Sequence, residues 1–329
     1  MIFLFKQLLS IYEKAGKQER KVIKLALELM RRILIWMGDP PYSTDIRGRR
    51  LELPVSHKLP IYVAECPLYD TLPTRIANYL RSRDGMLMMV DIGANVGDTI
   101  VACSLDANKD QFLGVEANPE FVTYLRKNTS NLRDVELVEA FCHSGAAEQT
   151  QVRIESVGGT ARVNESTDGF ALPKKTVDEI LTEHPKYENF NFLKVDTDGN
   201  DFDILKGASK SIRKSRPIIL MECDVFENVH YVEDVMTAIA SLAEVGYSTV
   251  IAYDNLGNYF STFAATDPAS FLEAIIYQVI SGFGYYDLLF LSEKDIEFAH
   301  YEKQFFLLYA ERKGFSAVIR EASYRLMER

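Results

Sequence analysis

Between positions 87 and 292, short apolar segments alternate with stretches of helical periodicity, and no other feature limits the possible folds as strongly. Seven of these segments have the length and composition of buried strands. They cover Leu87–Ile92, Gln111–Glu116, Val135–Phe141, Phe190–Asp196, Pro217–Glu222, Ser248–Tyr253 and Tyr286–Ser292. Because helical stretches separate the strands, we expect a seven-stranded, mostly parallel sheet with helices on both faces. Ligands of such folds bind beyond the carboxyl ends of the strands.

The two ends of the chain lie outside this alternation. Residues 2–13 and 18–37 have helical periodicity, and short strand-like pieces are expected at Leu51–Pro54 and Ile61–Val63. The expected division is an N-terminal helical extension with a linker over 1–60, a main domain over 61–293 and a C-terminal helical tail over 294–329.

Charge is spread unevenly along the chain. Residues 1–50 contain 11 basic and five acidic side chains, a balance of +6, whereas the rest of the 329-residue chain has a balance of −16. An acidic main domain is a poor match for a nucleic-acid backbone. The basic N-terminal region is compatible with an anionic membrane surface, an acidic partner or a simple solvated helix face. The wide apolar surface of the helix predicted over 18–37 must be buried against its own domain, a second copy of the chain or a lipid surface.

Cysteine usage and hydropathy indicate the compartment. Four cysteines are scattered without CxxC spacing, which argues against a zinc site or a disulfide framework and favours a reducing, cytoplasmic location. No stretch reaches the roughly 18 uninterrupted apolar residues of a membrane span. The apolar N-terminal segment lacks the basic region of a signal peptide, so we do not expect one.

The most informative segment is MMVDIGANVGDTI, which runs from Met88 to Ile100. A predicted strand ends near Asp91, and Gly93 and Gly97 then allow a tight turn into a helix. The G-x-x-x-G spacing differs from the G-x-G-x-x-G of dinucleotide-binding proteins. It suits a cofactor without a pyrophosphate, such as S-adenosylmethionine.

An acidic residue ends the next predicted strand. Glu116 follows Asp91 by 25 residues, which is about the length of one βαβ unit. A carboxylate at this position can accept hydrogen bonds from both hydroxyls of a ribose. Alone, the glycine turn is also compatible with a purely steric role, but its position between a strand and a helix favours a cofactor site.

Four further segments strengthen this interpretation. VDIGANVGDT, VEANPEF and LKVDTDGNDFDILKG occur in this order, with TVDEIL before and IILMECD after the last of them. Together they resemble the FkbM family of S-adenosylmethionine-dependent methyltransferases over roughly residues 60–292. The family usually has Asp-x-Glu-Gly-x-Glu after the fourth strand, whereas this chain has shorter acids at Asp198 and Asp201.

The resemblance implies a Rossmann-like class I methyltransferase fold and a set of cofactor-binding positions. The positions that it implies around the methionine part of the cofactor are Asp91, Gly93, Ala94, Asn95 and Gly97. Those implied at the ribose are Glu116, Ala117 and Asn118, and those implied at the adenine are Ala140, Phe141 and Cys142. Asp196 is implied at the boundary between cofactor and acceptor. It also implies O-methylation of a sugar, a glycan or another small molecule.

Candidate catalytic residues are the acids at strand ends, namely Asp196, Asp198 and Glu222. A hydroxyl acceptor benefits from a general base, and crowded carboxylates raise one another's pKa toward neutrality. The same oxygens suit Mg²⁺, so metal dependence stays open. For Asp198 a third alternative is that it caps the helix that follows.

Weaker candidates come with ordinary structural alternatives. His143 follows the third strand and is either near the cofactor or a surface residue. The Gly158–Arg162 segment either lines the acceptor site or forms a hairpin turn. Several aromatic residues could form a sugar platform or simply pack: Tyr253, Tyr259, Phe260, Tyr285 and Tyr286.

Two other functions are weighed against this one. Asp39-Pro40-Pro41-Tyr42 resembles a turn in enzymes that methylate exocyclic amines of nucleic-acid bases. In those enzymes the turn ends the fourth strand, and here too few residues separate it from Asp91 for a permuted order, so we expect a helix stop. The remaining alternative is a non-catalytic cofactor-binding module that acts through its N-terminal helices.

Overall fold

The computed structural model describes residues 1–104, 109–145, 147–224, 230–282, 284–314 and 318–322. The N-terminal region begins with a helical hairpin, α1 (Ile2–Lys14) and α2 (Lys17–Trp36), followed by the antiparallel strands β1 (Pro41–Ile46) and β2 (Arg49–Pro54). Phe5, Leu9 and Tyr12 of α1 and Leu27 and Leu34 of α2 are buried in one apolar cluster with the β1–β2 pair.

The Asp39-Pro40-Pro41-Tyr42 segment ends a helix, as predicted. Helix α2 stops at Trp36, and Pro41 begins β1, because proline cannot continue a helix. The Asp39 carboxylate accepts a hydrogen bond of 2.8 Å from the backbone amide of Ser56, and Tyr42 is buried. The prediction of a strand at Ile61–Val63 is wrong, because these residues lie in helix α3 (Leu59–Glu65), which has Pro60 in its first turn.

The main sheet contains eight strands. In chain order these are β3 (Met88–Ile92), β4 (Gln111–Glu116), β5 (Val135–Glu139), β10 (Phe192–Val195), β11 (Ile218–Cys223), β12 (Tyr247–Asp254), β13 (Tyr259–Ala264) and β14 (Tyr286–Ser292). Their order across the sheet is β13-β12-β14-β11-β10-β3-β4-β5. Strands β5, β4, β3, β10 and β11 pair in parallel, whereas β14 runs antiparallel between β11 and β12.

All seven predicted strands lie in this sheet, and the eighth was not predicted. Strand β13 lies at the edge, and none of its residues is buried, so it lacks the apolar run that identifies the others. Its register with β12 shifts between Ala252 and Tyr253, as in a β-bulge.

A second sheet of four strands, in the order β6-β9-β7-β8, lies beyond β5 in the chain. Its strands are β6 (Phe141–Cys142), β7 (Ala147–Val157), β8 (Thr160–Glu165) and β9 (Phe170–Lys175). Phe141, Val152, Val163 and Leu172 form its small apolar core. The sequence predicted only the β7–β8 hairpin.

Helices cover both faces of the main sheet. They are α4 (Leu72–Asp84), α5 (Asp98–Cys103), α6 (Pro119–Thr129), α7 (Val177–Glu183), α8 (Asp201–Gly207), α9 (Ser209–Ser215), α10 (Tyr231–Glu244), α11 (Leu272–Ser281) and α12 (Ile296–Arg312). Two large apolar clusters, one on each face, hold the strands and helices together. The fold is the expected α/β arrangement. Within the described residues no helix is both long and apolar enough to cross a membrane.

Candidate active site

Two adjoining clefts open at the carboxyl ends of the parallel strands. The first cleft contains about 470 Å³ of empty space, open solvent at its mouth included, and is lined by Ile92, Gly93, Asn95, Val115, Glu116, Ala117, Phe121, Ala140, Phe141, Cys142, Ala161, Val163, Asp196, Thr197, Asp198 and Asn200. The second cleft contains about 580 Å³, measured in the same way, and is lined by Leu68, Tyr69, Asp70, Leu72, Pro73, Lys194, Val195, Asp196, Leu220, Glu222, Tyr253, Asn255, Gly257, Tyr285 and Asp287. Asp196 lines both.

The turn after β3 forms one wall of the first cleft. Gly93, Asn95 and Gly97 all have φ between +50° and +83°, which is a conformation that favours glycine. A Cβ atom on Gly93 would lie 1.8 Å from the carbonyl oxygen of Asp196. On Gly97 it would lie 2.7 Å from Leu125. Packing against the Asp196 backbone therefore requires glycine at position 93, whereas at position 97 it is the positive φ that favours glycine, since the Leu125 side chain can shift.

Glu116 projects into the first cleft from the end of β4. Its two carboxylate oxygens each accept a hydrogen bond of 2.8 Å, one from the backbone amide of Asn95 and one from that of Asn118. Burial raises the pKa of Glu116, and the backbone amides oppose that rise. Each carboxylate oxygen has a second lone pair, so the side chain can also accept hydrogen bonds from a ligand.

The remaining predicted cofactor residues divide into two groups. Ala117, Ala140, Phe141 and Cys142 form an apolar wall of the first cleft, together with Val163 of β8. The other group lies outside the lining: Asn118 caps α6 by accepting a hydrogen bond from the Glu120 amide, Ala94 and Gly97 pack in the turn, and Asp91 is fully buried.

A buried lysine organises the acids at the boundary between the clefts. Lys194 Nζ lies 2.7 Å from Asp196 Oδ2 and 3.8 Å from Asp91 Oδ1. Burial disfavours the ammonium, but Asp196 and Asp91 raise the pKa of Lys194 well above its usual value. Burial likewise opposes ionisation of Asp196, yet Lys194 and a hydrogen bond with Glu222 lower the pKa of Asp196. Lys194 and Asp196 are therefore a charged pair.

Asp91 is the second acid on this lysine. Its pKa is raised to about 7 by burial, which Lys194 opposes, and neither carboxylate oxygen has a hydrogen-bond partner among the described residues. Lys194 therefore interacts unequally with the two acids. It donates a hydrogen bond to Asp196, whereas its ion pair with Asp91 is long and has no hydrogen bond.

Asp198 and Asp201 hold the loop between β10 and α8. Asp201 accepts hydrogen bonds from the backbone amides of Thr197 and Gly199 at 2.9 and 3.1 Å. Asp198 instead accepts one of 3.2 Å from the Ala161 amide of β8, and it does not cap α8. Burial raises the pKa of Asp198 to about 6 and that of Asp201 to about 7.

The second cleft is rich in carboxyl groups. Glu222 of β11 and Asp287 of β14 face each other in register on adjacent strands, and Glu222 Oε2 is buried without a hydrogen-bond partner among the described residues. Burial raises the pKa of both groups well above the usual value, and it raises that of Asp70 to about 8. Lys194 is the basic residue in the lining.

Metal binding finds no support in this geometry. No three histidine, cysteine, aspartate or glutamate side chains among the described residues come together in an arrangement that would hold a metal ion. Mg²⁺ is therefore not assigned a site here.

The β7–β8 hairpin closes over the first cleft. The Asn95 amide group donates a hydrogen bond of 2.7 Å to the carbonyl oxygen of Gly159, and His57 lies between the two residues. Arg162 donates to the carbonyl oxygen of Asp198 at 3.1 Å. The Gly158–Arg162 segment is thus a hairpin turn that covers the first cleft, whereas the alternative prediction placed it at the acceptor.

Other candidates fall in different places. His143 pairs with Asp203 of α8 at 3.2 Å and lies outside both linings. Tyr253 and Tyr285 line the second cleft, whereas the other three aromatic candidates do not: Tyr259, Phe260 and Tyr286. Sequence reasoning missed Lys194, although it lies two residues before Asp196 and so shares its face of the strand.

Part of the chain is similar to known proteins. The family described as Methyltransferase FkbM domain matches residues 91–249. Hexuronic acid methyltransferase AglP of Haloferax volcanii is 23% identical over 130 residues, which are 40% of this chain and 53% of AglP. The chain thus matches about half the length of this curated relative.

Similar solved structures include methyltransferase FkbM from Methylobacillus flagellatus, at 13% identity and a TM-score of 0.39, covering 71% of this chain and 59% of that one. The O-methyltransferase TomG from Streptomyces achromogenes, solved in complex with SAM, has 12% identity and a TM-score of 0.38, covering 67% of this chain and 79% of that one.

Proposed function

We propose that this methyltransferase, whose residues 91–249 match the FkbM methyltransferase domain, transfers a methyl group from S-adenosylmethionine to a hydroxyl of a sugar, a glycan or another small acceptor. The observation that carries this proposal is the pair of clefts that meet at Asp196. One cleft has the residue types that suit a nucleoside, and the other has polar groups that suit a hydroxyl compound. A sugar acceptor is further supported by the relative AglP, which is a hexuronic acid methyltransferase.

The lining of the first cleft fits S-adenosylmethionine. The Glu116 carboxylate projects into this cleft at the end of β4, where it can accept a hydrogen bond from the ribose beside those from its backbone amides, and the Ala140–Cys142 segment offers an apolar surface for the adenine. Asp198 supplies a negative charge for the cationic end of the molecule. When bound, S-adenosylmethionine supplies a methyl group on a positively charged sulfur.

Asp196 is the proposed proton acceptor. An attacking hydroxyl oxygen becomes positively charged as its bond to carbon forms, so its proton becomes strongly acidic and even a weak carboxylate base can accept it. Lys194 keeps Asp196 ionised and fixes its orientation, which holds the hydroxyl in line for transfer. Glu222, which lines the second cleft beside Asp196, is the proposed partner for a second polar group of the acceptor.

Neither alternative function receives comparable support. An amine methyltransferase would need the Asp39–Tyr42 segment in the site, but these residues lie before and within β1, and none lines either cleft. A non-catalytic module would not require a charged pair between two clefts, in which the lysine is buried and the carboxylate is accessible. The division at residues 60 and 293, the cytoplasmic location and the oligomeric state stay predictions.

Calorimetry with the full chain tests the proposal. We expect S-adenosylmethionine and S-adenosylhomocysteine to bind with micromolar affinity, and radiolabelled methyl groups to reach neutral sugars in an acceptor screen. The folded protein failing to bind either compound would refute the cofactor assignment. Binding without transfer to any acceptor would instead favour the non-catalytic module.

A further inference from the structure

Helix α2 is apolar on two opposite faces, although a helix needs only one to join a core. Its inner face, which includes Leu27 and Leu34, is buried with α1 and the β1–β2 pair. Its outer face carries an exposed stripe, which we name the α2 stripe, made of Val22, Leu25, Leu29, Ile33 and Trp36. Leu25 is 75% exposed, and Trp36, the only tryptophan of the chain, is 85% exposed.

The spacing of the α2 stripe makes it continuous. Its residues follow one another at intervals of three or four, so they lie on one side of the helix over about 21 Å. Solvated helices normally present polar side chains in this direction. A row of apolar side chains of this length therefore indicates a surface that something else covers.

Basic residues border the α2 stripe on one side. At 100° per residue, Lys21 and Arg32 fall next to Leu25. Both are exposed, and neither makes an ion pair with the part of the chain that the structure describes. The surrounding region, residues 1–50, carries a balance of +6 against −16 for the rest of the chain.

We propose that the α2 stripe and its basic border attach this enzyme to an anionic lipid surface, with α2 lying in the plane of the interface. An amphipathic helix with apolar side chains on one side and lysine or arginine beside them binds membranes in this way. Trp36 is suited to the boundary between headgroups and acyl chains, where tryptophan is enriched. The acidic main domain is repelled from the same lipids, so only the N-terminal region faces them.

A second copy of the chain is the competing occupant. Two α2 stripes facing each other would bury apolar area, but they would also bring together two regions of +6 charge. That repulsion disfavours the dimer and favours an anionic partner.

Vesicle flotation of the full chain tests the proposal. We expect wild-type protein to float with phosphatidylcholine vesicles that contain phosphatidylglycerol and to float less at high salt. With vesicles of phosphatidylcholine alone it should remain in the bottom fraction of the gradient. Leu25→Glu with Leu29→Glu should lower the partition coefficient roughly hundredfold, because two leucines no longer enter the lipid. Lys21→Gln with Arg32→Gln should weaken binding to anionic vesicles while leaving the apolar side chains in place.

The matched control is Ile276→Glu with Ile280→Glu. These residues are exposed on α11, which has apolar side chains but no lysine or arginine. The control should float like wild type, with folding checked by circular dichroism. The proposal is overturned if folded wild-type protein does not float, if the control loses flotation equally, or if the Lys21 and Arg32 changes have no effect. A lipid-free dimer that Leu25→Glu with Leu29→Glu makes monomeric would assign the α2 stripe to a second copy.

Discussion

The two clefts share Asp196 but are built differently. Most residues of the first cleft follow β3, β4, β5 and β10, and many of its contacts are made by backbone amides. The second cleft draws side chains from segments spread between positions 68 and 287. A site made by loops at consecutive strand ends has a sequence signature, whereas a site made by distant side chains does not. Most of the first cleft was therefore predictable, whereas the second was predictable only in part, at Asp196, Glu222, Tyr253 and Tyr285.

Charge separates the clefts as well. In the first cleft, Glu116 and Asp198 are hydrogen-bonded to backbone amides. In the second, four carboxyl groups share the lining with Lys194, and Glu222 keeps an unpaired oxygen. The first cleft is thus prepared for one ligand, while the second is prepared for hydrogen-bond donors in general.

The strongest test of the boundary is Asp196→Asn. Removing the base while keeping the shape should lower kcat roughly 10²- to 10⁴-fold. Binding of S-adenosylhomocysteine should change little, because Glu116 and the apolar wall stay in place. Steady-state kinetics and calorimetry measure both effects, and Asp203→Asn on α8 is the matched control. A nearly normal kcat in the Asp196→Asn variant would remove Asp196 from the mechanism.

Gly93→Ala tests whether the wall between the clefts is rigid. The added Cβ would collide with the Asp196 carbonyl oxygen, so we expect a loss of unfolding free energy of about 3 kcal/mol or more. Gly85→Ala is the control, since Gly85 also has a positive φ of 76° but nothing within 4 Å of its added Cβ. Urea unfolding should show a smaller loss of unfolding free energy for Gly85→Ala than for Gly93→Ala. Equal losses would mean that the collision is relieved by movement.

Glu116→Gln tests the first cleft alone. Loss of charge-assisted hydrogen bonds to the ribose should raise the Kd for S-adenosylmethionine roughly tenfold. Acceptor KM at saturating cofactor should stay the same. Glu120→Gln, exposed on α6, is the control. A change in acceptor KM that exceeds the change in cofactor Kd would show that the clefts are not separable.

Acceptor charge tests the second cleft alone. The pKa of Asp70 is raised to about 8, so its carboxylate becomes charged above that pH, and a hexuronate should then bind roughly tenfold more weakly than the matching neutral hexoside. Calorimetry with S-adenosylhomocysteine present compares the two on either side of pH 8, and Asp70→Asn should remove the pH dependence of the difference. Tighter binding of the hexuronate would contradict this account of the cleft.

The smallest expected effect is a pH dependence of cofactor affinity. The pKa of Asp198 is raised to about 6, so its carboxylate is charged above that pH and becomes neutral below it. Affinity for the cationic S-adenosylmethionine should therefore fall severalfold as the pH drops through 6. In Asp198→Asn the affinity should be lower at neutral pH and should no longer change across this range. An unaltered pH profile in the variant would assign the titration to another group.

The sequence predicted the seven strands of the main sheet and the turn at Gly93 because apolar runs and glycine spacing are local signals. It missed β13, whose residues are not buried, and β9, which pairs with β7 across a long connection. It also missed Lys194 and Asp287. Their roles depend on the register of β10, β11 and β14, which brings residues far apart in sequence to one face. Register is set by the whole core rather than by neighbouring residues.

The contact between Gly93 and the Asp196 carbonyl has a consequence for how such a protein can diversify. It fixes the ends of β3 and β10 against each other, and with them the point at which the two clefts meet. The segments around Tyr69, Asn255 and Tyr285 line the second cleft but take no part in this contact. Exchanging those segments should therefore give enzymes with new acceptor ranges that inherit the same transfer geometry.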